Sequence, residues 1–211
     1  MKIALLMENS QADKNPIIEK ALKEAVEPQG HTVFNLGMYN SQDDHQLTYI
    51  QLGIISSILL NSKTVDFIVT GCGTGQGACM SLNSFPGVCA GLILNPTDAF
   101  LFSQINAGNA VCLPYAQGFG WGAEVNLKFT FEKLFAFELG LGYPLERAHV
   151  QQCNAQILSK IKHDLVPNFI DALKNIDQQL LKSAIQSPAF QSLFFKYCQD
   201  EALRNYISTL L

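Results

Sequence analysis

Residues 71–77 read GCGTGQG, with glycines at 71, 73, 75 and 77 alternating with Cys72, Thr74 and Gln76 directly after the apolar run DFIVT. Three chemistries use glycine this densely. A Walker phosphate loop needs GxxxxGK[ST], and its lysine is missing because Ala78 and Cys79 follow Gly77. A dinucleotide fingerprint needs GxGxxG or GxGxxA, and GTGQGA (73–78) has that form. That fingerprint normally follows the first strand of a sheet and is answered by an acid ending the next strand. Here the loop follows the third strand, and the next one ends at Asn95. The third chemistry is an anion nest around a nucleophile or base. Alternate glycines let successive backbone N–H groups turn inward, and the positive end of a following helix adds to the field. A thiol at such a place favours its thiolate. The plain alternative for Cys72 is a buried cysteine in a tight turn.

The segments around this loop alternate between strand and helix patterns. KIALLM reads as a buried strand, and NPIIEKALKEAVEPQG as an amphipathic helix with Pro16 near its start and Gly30 past its end. HTVFNLG, DFIVT, VCAGLIL and NAVCLPY are the remaining strands; LTYIQLGIISSILLNSK, ACMSLNSF, TDAFLFSQINAG and WGAEVNLKFTFEKLFAFELG are the intervening helices. Short apolar strands separated by helices predict a five-stranded parallel sheet covered on both faces, a three-layer α/β/α Rossmann-like sandwich. In such a sheet ligands sit beyond the carboxyl ends of the strands. That edge collects the glycine loop, Glu8-Asn9 and Asn95. After GLGYP (140–144) only helical periodicity remains, broken near Pro167 and at Ser187-Pro188. The expectation is an α/β domain over 1–147 and a helical extension of three or four helices over 148–211, serving assembly or packing.

Composition narrows the function. With 48% hydrophobic and 15% charged residues, the 211-residue chain can bury a substantial core. Its net charge of −4 and lack of a basic cluster exclude the footprint of a nucleic-acid binder. LGIISSILL is about half the roughly 20 residues a membrane span needs. KIALLM is too short for a signal peptide. The six cysteines (72, 79, 89, 112, 153, 198) form no CxxC pair and suit reduced thiols, so a cytoplasmic protein is expected. No ligand cluster implies a metal. Only two arginines occur, Arg147 and Arg204.

Residues 66–109 resemble the ribose-5-phosphate isomerase B family, which includes the subunits of galactose-6-phosphate isomerase. The likeness rests on the CGTG loop after strand three, on Asn83, Phe85 and Gly87 leading into strand four, and on Gln104-Ile105-Asn106-Ala107-Gly108-Asn109 before strand five. It extends more weakly over residues 1–155. The resemblance implies an aldose–ketose isomerisation of a sugar or sugar phosphate through a cis-enediolate, without a cofactor, in a homodimer or dimer of dimers. Cys72 would be the carbon base and Thr74 the proton carrier between oxygens. Gly71, Gly73, Gly75, Gln76 and Gly77 would form the nest, with Glu8, Asn9, Asn83, Asn106 and Asn109 lining the substrate. A positioned base combined with oxyanion stabilisation is what a carbon acid beside a carbonyl requires.

The departures from the family point to its substrate. Glu8-Asn9 stands where the family has Asp-His, and Ile105 replaces the ring-opening histidine. The phosphate-binding arginines align with Ala116, His149 and Cys153, leaving Arg147 and His149 as the remaining phosphate-side candidates. An open-chain, differently phosphorylated or unphosphorylated sugar is therefore expected. Two other functions stay open on the residues alone: a nucleotide-binding oxidoreductase using GTGQGA, and a non-catalytic sugar-phosphate-binding protein. GFGWGAE (118–124), with Trp121 and Glu124, is expected to form part of the pocket wall. His31, His45 and His163 read as surface residues, and FTFEKLFAFELG as a helix buried against another subunit.

Overall fold

The computed structural model describes residues 1–211. Five short strands, β1 (Lys2–Leu5), β2 (Thr32–Asn35), β3 (Phe67–Cys72), β4 (Ala90–Leu92) and β5 (Ala110–Pro114), form one parallel sheet in the order β2-β1-β3-β5-β4. All six residues of β3 are buried. Such burial explains why its sequence is a continuous apolar run rather than an alternation. The chain leaves β1 toward β2 on one side and then crosses to β3 on the other. The crevice between β1 and β3 at their carboxyl ends is thus the switch point where ligands sit in open sheets.

Alternation along the strands separates two cores. On one face Ile3, Leu5, Phe67, Val69, Val111 and Leu113 pack with α1 (Asn15–Val26) and α5 (Ala123–Leu134). On the other, Ala4, Leu6, Ile68, Cys72 and Cys112 meet α2 (Tyr49–Asn61) and α3 (Gln76–Asn83). Nine of the thirteen residues of α2 are buried, which accounts for its apolar character all round. The remaining α/β helix, α4 (Pro96–Leu101), runs on through a π-helical turn, Phe102–Asn106.

The C-terminal segment holds five helices rather than the expected three or four: α6 (Ala148–Leu165), α7 (Phe169–Asn175), α8 (Gln178–Ile185), α9 (Pro188–Tyr197) and α10 (Glu201–Ser208). The expected breaks near Pro167 and at Ser187-Pro188 are present, and the overlooked ones are at Asp177 and Asp200. Asn168, Asp177, Ser187 and Asp200 each accept a hydrogen bond from the backbone N–H three residues on, which starts a new helix. α7–α10 are part of the core. Leu173, Leu181, Ile185, Phe190, Phe194, Leu203 and Ile207 are all 1% exposed or less and join the cluster around α2. Burying each such side chain is worth about 1.5–3 kcal/mol. α6 differs, for none of its eighteen residues is buried.

The aromatic segment 129–140 is also corrected. Its helix stops at Leu134, and Phe131 and Phe135 fill the chain's own core; only Phe129 and Phe137 face outward. No helix is long and apolar enough to cross a membrane.

Candidate active site

β3 runs two residues further than DFIVT predicted, so Gly71 and Cys72 belong to the strand and the loop proper begins at Gly73. The extension is held by β5. Gly71 and Cys72 pair with Leu113 and Pro114, and the N–H groups of Tyr115 and Ala116 donate to the carbonyls of Cys72 and Gly73, both at 2.9 Å. Gly71 is required sterically, since a Cβ there would lie 2.2 Å from Leu113 O and 2.6 Å from the Tyr115 ring. Gly75 turns the chain into α3 with φ +73°, a left-handed conformation that glycine adopts without strain.

This geometry leaves amides open. The Gln76 N–H donates to Thr74 Oγ1 at 3.3 Å, but the N–H groups of Gly73, Thr74, Gly75, Gly77 and Ala78 have no acceptor within the protein. They surround the start of α3, whose dipole places positive charge there. The arrangement suits an oxyanion.

Glu8 arrives by register. β1 pairs with β3 at Ile3↔Phe67, Ala4↔Ile68 and Leu5↔Val69. The last bond between these strands runs from the Leu6 N–H to Val69 O at 3.0 Å, and the same offset continued by two residues would bring Glu8 level with Cys72, on one face by alternation. Glu8 is 3% and Cys72 8% exposed. The Glu8 carboxylate accepts from the Ser10 N–H (2.9 Å) and the Ser10 hydroxyl (2.5 Å), which fixes it at the start of the 3-10 turn Asn9–Lys14. Asn9 is exposed on that turn. Gln11 and Lys14 of the same turn also face the crevice, and neither stood out in the sequence. Gln11 Nε2 would lie 3.9 Å from a Cβ on Gly73. Lys14 Nζ donates to Gln11 Oε1 at 2.7 Å and to Tyr115 O. The usable signal was their position directly after a strand's carboxyl end.

Other expected site residues lie elsewhere in the chain. Asn83 clamps the end of α3 to β4, donating to the carbonyls of Cys79 and Ala90 and accepting from the Ala90 N–H. Asn109 precedes the amino end of β5, opposite Cys72 along the sheet; it accepts from Cys89 N and donates to Gly87 O. Asn106 is exposed at the end of the π turn beside α6. Arg147 and His149 are exposed at the start of α6. Trp121 is fully exposed, whereas Gly118 and Phe119, the latter edge-on to Tyr115, line a small cavity and Glu124 lines the groove between α1 and α5. His45 is only partly exposed, its Nε2 2.5 Å from Ser183 O, so it fastens its loop to α8. His163 is exposed, as expected.

Cys79 is the thiol whose pKa is lowered. The Cys112 thiol hydrogen-bonds to it and lowers its pKa to about 7 against the opposing effect of burial, with help from the Asn83 amide and Lys162. Its sulfur faces Ala90 O and Asn83 rather than the crevice. A groove of about 480 Å³ between α1 and α5 is lined by Ile17, Val125, Phe129 and the Glu24 ion pairs, without a nucleophile or open amides.

The sequence matches the ribose/galactose isomerase family over residues 3–132, and a second family, described as ribose-5-phosphate isomerase, over residues 163–210. The chain belongs to the ribose/galactose isomerase family. It is a sugar isomerase, an intramolecular oxidoreductase. A ribose-5-phosphate isomerase from Vibrio parahaemolyticus is 54% identical, with a TM-score of 0.97, covering 100% of this chain and 99% of the other. A 4-deoxy-L-threo-5-hexosulose-uronate ketol-isomerase, solved with a tartrate, is 52% identical with the same TM-score and coverage. The type B ribose 5-phosphate isomerase of Trypanosoma cruzi shares the fold at 18% identity and TM-score 0.64, covering 78% of this chain and 99% of its own. The shorter span of that match fits the position of α7–α10 as an addition to the shared sheet.

Proposed function

We propose that this isomerase interconverts an open-chain sugar acid between its aldose and ketose forms through a cis-enediolate. The carrying observation is the set of unpartnered backbone amides beside Cys72, with the buried Glu8 just past the carboxyl end of the neighbouring β1. In this reading the Cys72 thiolate removes the proton from C2 of the aldose, and the electron pair moves into a C1–C2 double bond. The negative charge that develops on O1 meets the amides of Gly73, Thr74, Gly75 and Gly77. Thr74 Oγ carries the proton from O2 to O1, and the Cys72 thiol returns its proton to C1. Glu8 holds a substrate hydroxyl next to the Ser10 clamp. Stabilising charge where it develops is the largest single contribution in such sites.

The sugar-acid reading rests on what the chain lacks. The near-equal relatives carry different names, one acting on ribose 5-phosphate and one on a hexosulose uronate. Ile105 cannot open a ring by proton transfer, and two arginines in 211 residues are few for a phosphate dianion. A hexosulose uronate, as its name states, ends in a carboxylate and needs fewer charged donors. A solvent-deuterium NMR assay tests both. The uronate should be converted with deuterium incorporation and a kcat/KM at least about a hundredfold above that for ribose 5-phosphate. The reverse preference would overturn the substrate; no exchange with either sugar would overturn the chemistry.

Assembly belongs to the same reading. Ile157, Leu158, Ile161 and Leu165 of α6 are between 48% and 77% exposed. A homodimer that covers them would bring Asn106, Arg147 and His149 to a neighbouring crevice. Sedimentation equilibrium should give twice the chain mass, and a monomer with full activity would count against it.

A further inference from the structure

We infer that Lys14 binds the anionic end of the substrate, with Gln11 bridging from it to the enediolate site. The inference rests on the isomerase reading above and assigns a residue that neither the sequence pattern nor the resemblance picked out. Lys14 is the last residue of the Asn9–Lys14 turn, which lies across the carboxyl ends of β1, β3 and β5. Its ammonium group is only partly exposed and sits 4.5 Å from the centre of the Phe119 ring. Partial burial lowers its pKa.

Its protein partners are all neutral. Nζ donates to the Gln11 amide oxygen and the Tyr115 carbonyl, and no carboxylate lies within 4.0 Å of it. Lys20, Lys23 and Lys128 on the nearby helices are each paired with a glutamate. An ammonium has three donors, and two are used. A cation without a counter-ion can take an anionic ligand without breaking an existing ion pair. The third donor has no oxygen acceptor in the protein.

The reach is also defined. Gln11 Nε2 lies 3.9 Å from a Cβ position on Gly73, where nothing but Ala116 approaches. Lys14, Gln11 and Gly73 therefore form a line from a cation to the oxyanion loop. A chain that places its aldehyde at Cys72 would run along that line, with its middle oxygens at Gln11 and its carboxylate at Lys14. One lysine with a single open donor suits a carboxylate monoanion. Phosphate shares the charge, and the assay separates the two.

Three proteins decide the matter: the wild type, Lys14→Met and Lys14→Arg, with unchanged circular dichroism and Tm as the entry condition. On 4-deoxy-5-hexosulose uronate, Lys14→Met should raise KM at least tenfold with kcat changed less than threefold, and Lys14→Arg should restore most of the loss. On the neutral methyl ester, Lys14→Met should match the wild type. An equal loss on acid and ester, or no loss on either, overturns the assignment. Tartrate titration followed by backbone amide shifts of Gly73 and Gly75 gives a readout that does not need turnover. Wild type should bind, and Lys14→Met should bind at least tenfold more weakly. Undiminished binding in Lys14→Met, or none in the wild type, overturns the proposal. Tighter, Lys14-dependent binding of inorganic phosphate would overturn the carboxylate. If the wild type turns over no sugar while Lys14-dependent tartrate binding survives, the isomerase reading alone fails.

Discussion

The two ends of the sheet use similar residues in opposite ways. At the amino edge of β4 and β5, Asn83, Asn109, Cys79 and Lys162 are bonded to the chain itself: the asparagines to backbone groups of 79, 87, 89 and 90, the thiol to Ala90 O, the ammonium to Val88 O and Asn83. At the carboxyl edge of β1 and β3, Cys72 stands beside backbone amides with no protein acceptor, and Lys14 has only neutral partners. One edge has used its hydrogen-bonding capacity to hold the fold; the other leaves it open. Residue type alone does not separate a site from a bracket. The count of unmade bonds does.

The comparison can be broken most decisively at the thiols. Cys72→Ser should lower kcat at least about a hundredfold, the size expected of a lost general base, with Tm nearly unchanged. Cys79→Ser should leave kcat within threefold, although the Cys79 pKa is lowered to about 7. An equal loss in both would remove the distinction between the edges.

Glycines give the next largest effect. Gly71→Ala forces a methyl into Leu113 O and the Tyr115 ring and should cost about 3 kcal/mol by denaturant unfolding, the upper range for overpacking. Gly73→Ala has no atom nearer than 3.7 Å and should change stability by less than about 0.5 kcal/mol while raising KM. A stable Gly71→Ala would mean that β5 does not clamp this strand.

Asn83→Ala sharpens the other edge. Its loss unpairs the Ala90 N–H, leaves the Ala90 carbonyl with only the Cys79 thiol, and should destabilise by about 1–2 kcal/mol, with kcat/KM of the folded enzyme unchanged. A selective fall in kcat/KM would return Asn83 to the substrate.

The smallest effect is in pH. The folded pKa of Cys79 is about 7, below its ordinary value of 9.0, so between these values the unfolded chain binds more protons. The Cys79 contribution to stability is therefore complete above pH 9 and is lost as pH falls through 7. Wild-type Tm should rise from pH 7 to 9 relative to Cys79→Ala. Cys112, raised well above 9.0, opposes this only at higher pH. Parallel curves for the two proteins would remove the Cys112–Cys79 hydrogen bond from the account.

Local patterns alone determined the five strands, the glycine loop with Cys72 and Thr74, and the helical character of the C-terminal segment. Periodicity and a contiguous motif need no distant partner to be read. The departures from the resembled family, Ile105 and the scarce arginines, led to the expectation of an open-chain, differently phosphorylated or unphosphorylated sugar. Tertiary structure decided the rest, because it concerns residues far apart in sequence. The β1–β3 pairing put the buried Glu8 just past the carboxyl end of the strand beside β3, and packing against α2 made α7–α10 core while leaving α6 exposed. The fold of the Asn9–Lys14 turn over β5 brought Lys14 to Tyr115, 101 residues away. No local window contains the absence of a counter-ion, since that is a property of every atom that could have approached and did not.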